Sequence, residues 1–167
     1  MRQLAFSGRA YNTQVRILGV DLGRRRIGLA LSDATGLLAR PWLTVPAGAS
    51  PAASAAAVAA LLSGGDEAAR DVAAIVVGLP RRLSGEDTHL TALVRRFVRE
   101  LRTRTGLPVH EQDERLTSIE AESRLATREA DWRVRKQTLD AEAAAVILQD
   151  YLDAHGADRP ASGAHES

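Results

Sequence analysis

VRILGVDLGRRRIGLALSD, residues 15–33, sets two short apolar runs on either side of an arginine-rich turn. Val15–Asp21 and Arg26–Asp33 each have the length and composition of a core strand, and Gly23 permits a tight reversal between them. The stretch therefore predicts a hairpin of two core strands. Asp21 ends the first of them, where burying an uncompensated carboxylate would cost on the order of several kcal/mol. A carboxylate at the C-terminal end of a strand, followed by glycine, stands where α/β sheets place their ligands. The plainer alternative is that Asp21 caps the turn into the next strand.

Working outward, Leu37–Val45 predicts a third strand, with Pro41 an awkward residue inside it. Pro51–Leu62 is alanine-rich and predicts a helix, stopped by Gly64 and Gly65. Ala73–Leu79 is unbroken and apolar, as expected of a central strand covered on both faces. In Asp87–Arg104, residues Leu90, Leu93, Val94, Phe97 and Leu101 recur at helical spacing with arginines opposite, and Gly106 follows as a stop. Leu107–Asp113 predicts another strand. Thr117 and Glu120 form a capping-box pattern opening a helix to about Thr127. Glu129–Arg135 is charged and aperiodic and is expected to be a loop. A last helix is expected from about Leu139 to Ala154, with Thr138 as its N-cap. A hairpin leading into βα units implies an α/β domain, a mixed five-stranded sheet with helices on both faces. Residues 15–155 are expected to form this domain, with a flexible extension expected at 1–14 and a disordered tail at 156–167.

With 167 residues and 45% hydrophobic content, the chain is long enough to bury one core. It contains no cysteine, which excludes disulfides, zinc–thiolate sites and thiol catalysis and suits a cytoplasmic location. Residues 1–14 lack the apolar core of a signal peptide, and no stretch is long and apolar enough to span a bilayer. The net charge of +1 conceals a polarised distribution. Residues 1–40 hold seven arginines against Asp21 and Asp33, and residues 81–104 hold seven more against Glu86, Asp87 and Glu100. Such clusters are what a nucleic-acid backbone requires, although arginines on a helix surface also serve solubility alone.

Two more acids join Asp21. In EQDERLT (111–117), several acids crowd a strand end. Alternation puts Glu111 and Asp113 on one face and Glu114 opposite unless the strand has ended, so either Asp113 or Glu114 could face the cleft. Asp140 shares a helical face with Ala144, Ile147, Leu148 and Tyr151, a lone acid heading an apolar stripe. First-turn dipole stabilisation is the alternative, but it would be served equally well from the solvent side. Three carboxylates without histidine or cysteine partners suit the hard, oxygen-loving ions Mg²⁺ or Mn²⁺. A pair of such ions can activate water for phosphodiester cleavage.

Four segments together resemble the YqgF (RuvX) family of Holliday-junction resolvases, also associated with maturation of small-subunit ribosomal RNA. They are GVDLGRRRIGLALSD (19–33), VVGLP (76–80) with Gly85, DERLTS (113–118), and Asp140 within DAEAAAVILQDYL (140–152). They occur in family order and cover nearly everything from Val15 to Leu152. The resemblance implies a ribonuclease-H-like fold with Asp21, Glu114 and Asp140 as the acidic, metal-binding site, supported by Gly23 and by the hydroxyl of Thr117 or Ser118. Arg24, Arg25, Arg26, Arg81, Arg82, Arg115 and Lys136 would hold phosphates of branched DNA or precursor rRNA, with the protein acting as a monomer or weak homodimer. The chain departs from the family at Arg82, where asparagine is usual, and in its longer N-terminal extension.

Two other functions are weighed. DLGRRRIG also resembles the first phosphate loop of actin-like ATPases, but those need a second domain that 167 residues cannot hold. A catalytically silent nucleic-acid-binding module would be favoured by loss of the acids, and all three are present.

Overall fold

The computed structural model describes residues 15–114 and 132–155, the side chains of 132–138 excepted. The expected hairpin is present as β1 (Arg16–Leu22) and β2 (Arg26–Ser32), paired antiparallel with Asp21 opposite Gly28. β3 (Ala39–Pro46) pairs antiparallel with β2 and forms one edge of the sheet. Pro41 is accommodated because its strand is an edge and because the register shifts there. Leu29 faces Leu43 and Ala30 faces Pro41, so Trp42 is the extra residue of a bulge.

After α1 (Pro51–Ser63) and a short 3-10 turn at Glu67–Ala69, β4 (Val72–Leu79) returns parallel to β1. α2 (His89–Thr105) leads to β5 (Val109–Asp113), parallel to β4. The sheet order is β3-β2-β1-β4-β5, a mixed five-stranded sheet. α3 (Trp132–His155) follows.

Local chemistry fixes the helix ends. Ser50 caps α1 by accepting the Ala53 N–H at 3.1 Å, with Pro51 in the first turn where its missing N–H costs nothing. Thr88 and Thr91 cap α2 reciprocally through 2.8 Å and 3.3 Å bonds. Gly106, at φ 67°, ends α2 in the left-handed conformation that glycine adopts without penalty.

Strand alternation divides the core in two. Leu18, Val20, Ile27, Leu29, Ile75 and Val77 pack beneath α1 and α2 with Phe97 and Leu101. Ala30 and Val76 meet Ala144, Ile147 and Leu148 of α3 on the other face. Helices thus cover both faces, as expected. The Gln149 amide fastens α3 to the start of β3, accepting the Ala39 N–H at 2.9 Å and donating to the Leu37 carbonyl at 3.0 Å.

The last helix corrects the sequence reading. It begins at Trp132, so residues 132–135 are helical rather than loop, and Thr138 is an interior residue rather than an N-cap. Charged, aperiodic sequence does not by itself break a helix, and Trp132, Arg133, Val134 and Arg135 include neither Gly nor Pro to stop one. Asp140 consequently lies beyond the first turn, which removes the dipole explanation for it. The expected helix at 117–127, the extension at 1–14 and the tail at 156–167 lie outside the described residues. No helix among the described residues is long and apolar enough to cross a membrane.

Candidate active site

The sheet face beneath α3 is lined by unusually small residues, and this determines where the acids meet. On that face an ideal Cβ at Gly19 would lie 2.8 Å from Leu148 Cβ, and one at Gly28 would lie 1.9 Å from the Asp140 carbonyl oxygen. Glycine in a strand interior marks such a close backbone approach. Because Gly28 stands opposite Asp21 in the hairpin, seating α3 on Gly28 brings Asp140 beside Asp21.

Glu114 arrives from the other side. β5 ends at Asp113, and the Glu114 N–H donates to the Leu79 carbonyl at 3.3 Å. That bond continues the parallel ladder by one rung, so alternation carries Glu114 to the same face as His110, which stacks on Tyr151 of α3, and its carboxyl turns in over Gly78. An ideal Cβ there would lie 2.6 Å from Glu114 Oε2. Glu114 is the acid that hydrogen-bonds Asp21, while Asp113 only adds repulsion to it. The choice left open by the sequence falls to Glu114 on this geometry.

Two buried carboxyls in contact cannot both ionise freely. Burial raises Asp21 to about 6, the bond from Glu114 partly offsets this, and repulsion from Asp140 adds to it. Burial, then the charge of Asp21 and the bond it makes to that group, raise Glu114 to about 9. The pair therefore shares one proton near neutrality, donated by Glu114 to Asp21.

Both folded-state values lie above the unfolded ones, so the contribution to stability is fully present below about pH 4 and is lost as pH rises towards 9. Glu114→Gln removes the larger part of that loss while keeping a donor for Asp21. In chelator, the variant should therefore melt higher than the wild type at pH 8, by on the order of a few kcal/mol, and the gap should close towards pH 4. Melting curves across this range test it. A difference independent of pH would mean that the two carboxyls do not share a proton.

The predicted arginines divide into groups. Arg26 points inward, and its Nε bonds Asp140 Oδ2 at 2.6 Å, with both side chains about half-buried. This partnership was missed in the sequence, where Arg26 is one of three consecutive arginines. Arg24 and Arg25 are exposed on the turn that Gly23 closes through a 2.9 Å bond to the Arg26 carbonyl. A Cβ at Gly23 would come 2.7 Å from that carbonyl oxygen, which accounts for the glycine. Arg81 lies 3.3 Å from Asp87, an acid it shares with Arg95, whereas Arg82 is exposed at a small loop turned by Gly85 at φ 87°. Arg115, Thr117 and Ser118, and the side chain of Lys136, lie outside the described residues.

Among the described residues, no three acid or imidazole groups converge on a single point. Asp21 and Glu114 touch, while Asp140 stands beside them turned to Arg26.

Comparison with known proteins places this arrangement in a family. The RuvX family model, described as Holliday junction resolvase, matches residues 15–154. A candidate pre-16S rRNA nuclease of Chloroflexus aggregans is 43% identical over 138 residues, covering 83% of this chain and 93% of the relative. One from Anaeromyxobacter dehalogenans (strain 2CP-1) is 46% identical over 141 residues, covering 83% and 97%. Among solved structures, Thermus thermophilus RuvC aligns over 85% of this chain and 97% of that one, with 16% identity and a TM-score of 0.49. With the match spanning both the β1–β2 hairpin and the helix that carries Asp140, the chain belongs to the RuvX family of nucleases.

Proposed function

We propose that the protein is a divalent-metal-dependent endonuclease that hydrolyses phosphodiester bonds in the leader of precursor 16S rRNA. Asp21, Glu114 and Asp140 are its catalytic carboxylates. The observation that carries this reading is the buried Asp21–Glu114 pair, which holds a proton between two oxygens at the end of β1, with a third carboxylate beside it. The donor set fits a hard cation, since only oxygen ligands are present and mutual repulsion within the pair would be relieved by positive charge. When bound, Mg²⁺ or Mn²⁺ supplies polarisation of the phosphate and a water of lowered pKa.

The remaining roles belong to the chain. Asp21 and Glu114 would hold the ion as carboxylates, their shared proton being released to solvent. Arg26 orients Asp140 through its Nε; Asp140 would complete the ligand set for the ion, and the Arg26 guanidinium would be available to a phosphate oxygen. Arg24, Arg25 and Arg82 stand exposed to position the backbone, with Arg81, Arg115 and Lys136 as further phosphate contacts and Thr117 or Ser118 as hydroxyl support. The relatives' names support the rRNA substrate, and a cytoplasmic site of action suits a chain without cysteine. The family description supports a second reading, resolution of four-way DNA junctions. That reaction needs two symmetric cuts, and thus a weak homodimer of a chain that is otherwise sufficient as a monomer.

Parallel cleavage of a precursor rRNA leader and a synthetic four-way junction tests both readings. The expected result is cutting of the leader with Mg²⁺ or Mn²⁺ and none in chelator. Paired cuts in the junction alone would transfer the assignment to resolution, and failure to cut either would remove it.

A further inference from the structure

On the side of the β1 end away from the acids, a cleft of about 390 Å³ opens between the first turns of α1 and α2. Leu22, Leu90 and Leu93 give it aliphatic walls, and Arg24, His89 and the buried Ser54 supply its polar groups. Among the described residues no carboxylate lines it, and neither flanking helix has an acid in its first turn, although the chain holds 21 acids. The positive ends of two helices and a guanidinium therefore face one cleft without compensation. Leu22 follows Asp21 directly in the chain and Arg24 comes three residues after it, so the Arg24 Cα lies within about 11 Å of the Asp21 Cα.

We propose that this cleft receives a nucleobase of the substrate strand, swung out from a nucleotide next to the scissile phosphate. The inference rests on the nuclease reading above and adds what the enzyme selects. A base has apolar faces and a polar edge. The leucine walls suit the faces, and the Arg24 guanidinium has donors enough for the base edge as well as a backbone phosphate, while the Ser54 hydroxyl already accepts the Gly48 N–H at 2.9 Å. The attached sugar-phosphate, being anionic, meets a lining without acids among the described residues. A volume of about 390 Å³ lies within the range of pockets that enclose small ligands. A stacked, paired base cannot enter without being extruded, and extrusion is least costly where the strand is already unpaired. The cleft thus favours cutting beside unpaired or distorted nucleotides, on shape rather than sequence.

The full-length Asp21→Asn protein, which leaves substrate uncut, is mixed with leader RNA carrying 2-aminopurine at successive positions around the cut. Brightening is expected at one position beside the cut and should disappear when Leu93→Trp fills the cleft. An abasic residue at that position should weaken binding by about tenfold in the protein with the open cleft. The abasic series alters only the RNA, so it decides the matter even if Leu93→Trp fails to fold. The absence of any position-dependent signal, whether from uniform binding or from none, overturns the proposal. Failure of the nuclease reading is seen separately, as an uncut leader with the unsubstituted protein and metal.

Discussion

Asp21→Asn should lower cleavage by on the order of 10³-fold or more while leaving substrate affinity nearly unchanged. Asp21 is enclosed by the fold at the end of a central strand, in contact with Glu114 and close enough to Asp140 to feel its charge. Asparagine keeps the shape and one oxygen but loses the negative charge that a divalent cation requires. In the function proposed above, binding rests instead on the exposed arginines of the β1–β2 turn and of the loop after β4, which the substitution does not touch. The amide also cannot repel Glu114, so the variant should fold at least as well as the wild type. Single-turnover cleavage and equilibrium binding on the same substrate, after chelation and metal restoration, separate the two effects. Cleavage within tenfold of wild type would remove Asp21 from the site, and equal loss of binding would mean that the acid acts by holding the fold.

Gly28→Ala should be among the most damaging single-methyl changes available in this chain. The added Cβ would sit 1.9 Å from the carbonyl oxygen of Asp140 and 2.3 Å from its carbonyl carbon. Both are backbone atoms, so no rotamer change relieves the overlap, and α3 must lift from β2. Lifting it opens the cluster of Ala30, Val76, Ala144, Ile147 and Leu148 and moves Asp140 away from Asp21. Overpacking against rigid backbone should cost about 3 kcal/mol or more, a fall of roughly 6–12 °C in Tm for a chain of this size. Gly65→Ala provides the contrast. Position 65 has φ 82° but no atom within 4 Å of an added Cβ, so the expected cost is about 1 kcal/mol of conformational strain alone. Thermal melts of both variants, with cleavage assayed well below the transition, check this. If Gly28→Ala melts no lower than Gly65→Ala, α3 is not seated on β2 as described.

Much of this was determined by local sequence. The β1–β2 hairpin follows from two apolar runs around Gly23, and α2 from leucines and a phenylalanine at helical spacing between Thr88 and Gly106. Asp21 stood out because a carboxylate ending an apolar strand conflicts with its surroundings, and that conflict is visible within seven residues. Even the glycines beneath α3 could have been read as sites of close approach, since Gly19, Gly28 and Gly78 interrupt runs of branched residues.

Other features only the tertiary structure decided. Whether Asp113 or Glu114 turns inward depends on which face of β5 meets α3: Val109 joins the core under α1 and α2 while His110 stacks on Tyr151 of α3, so alternation gives that face to Glu114. Arg26 reads as one of three equivalent arginines until a helix 114 positions later presents Asp140 to it. The start of α3 was hidden because Thr138 resembles a cap, while the packing of its later turns against the sheet stabilises the helix regardless. The cleft beside Leu22 has no signature in any one segment, since its walls come from three separate stretches of chain. Period and composition report what a residue does to its neighbours in sequence. Contacts between distant segments depend on which faces the sheet and helices bury together, and that is settled only when the whole core closes.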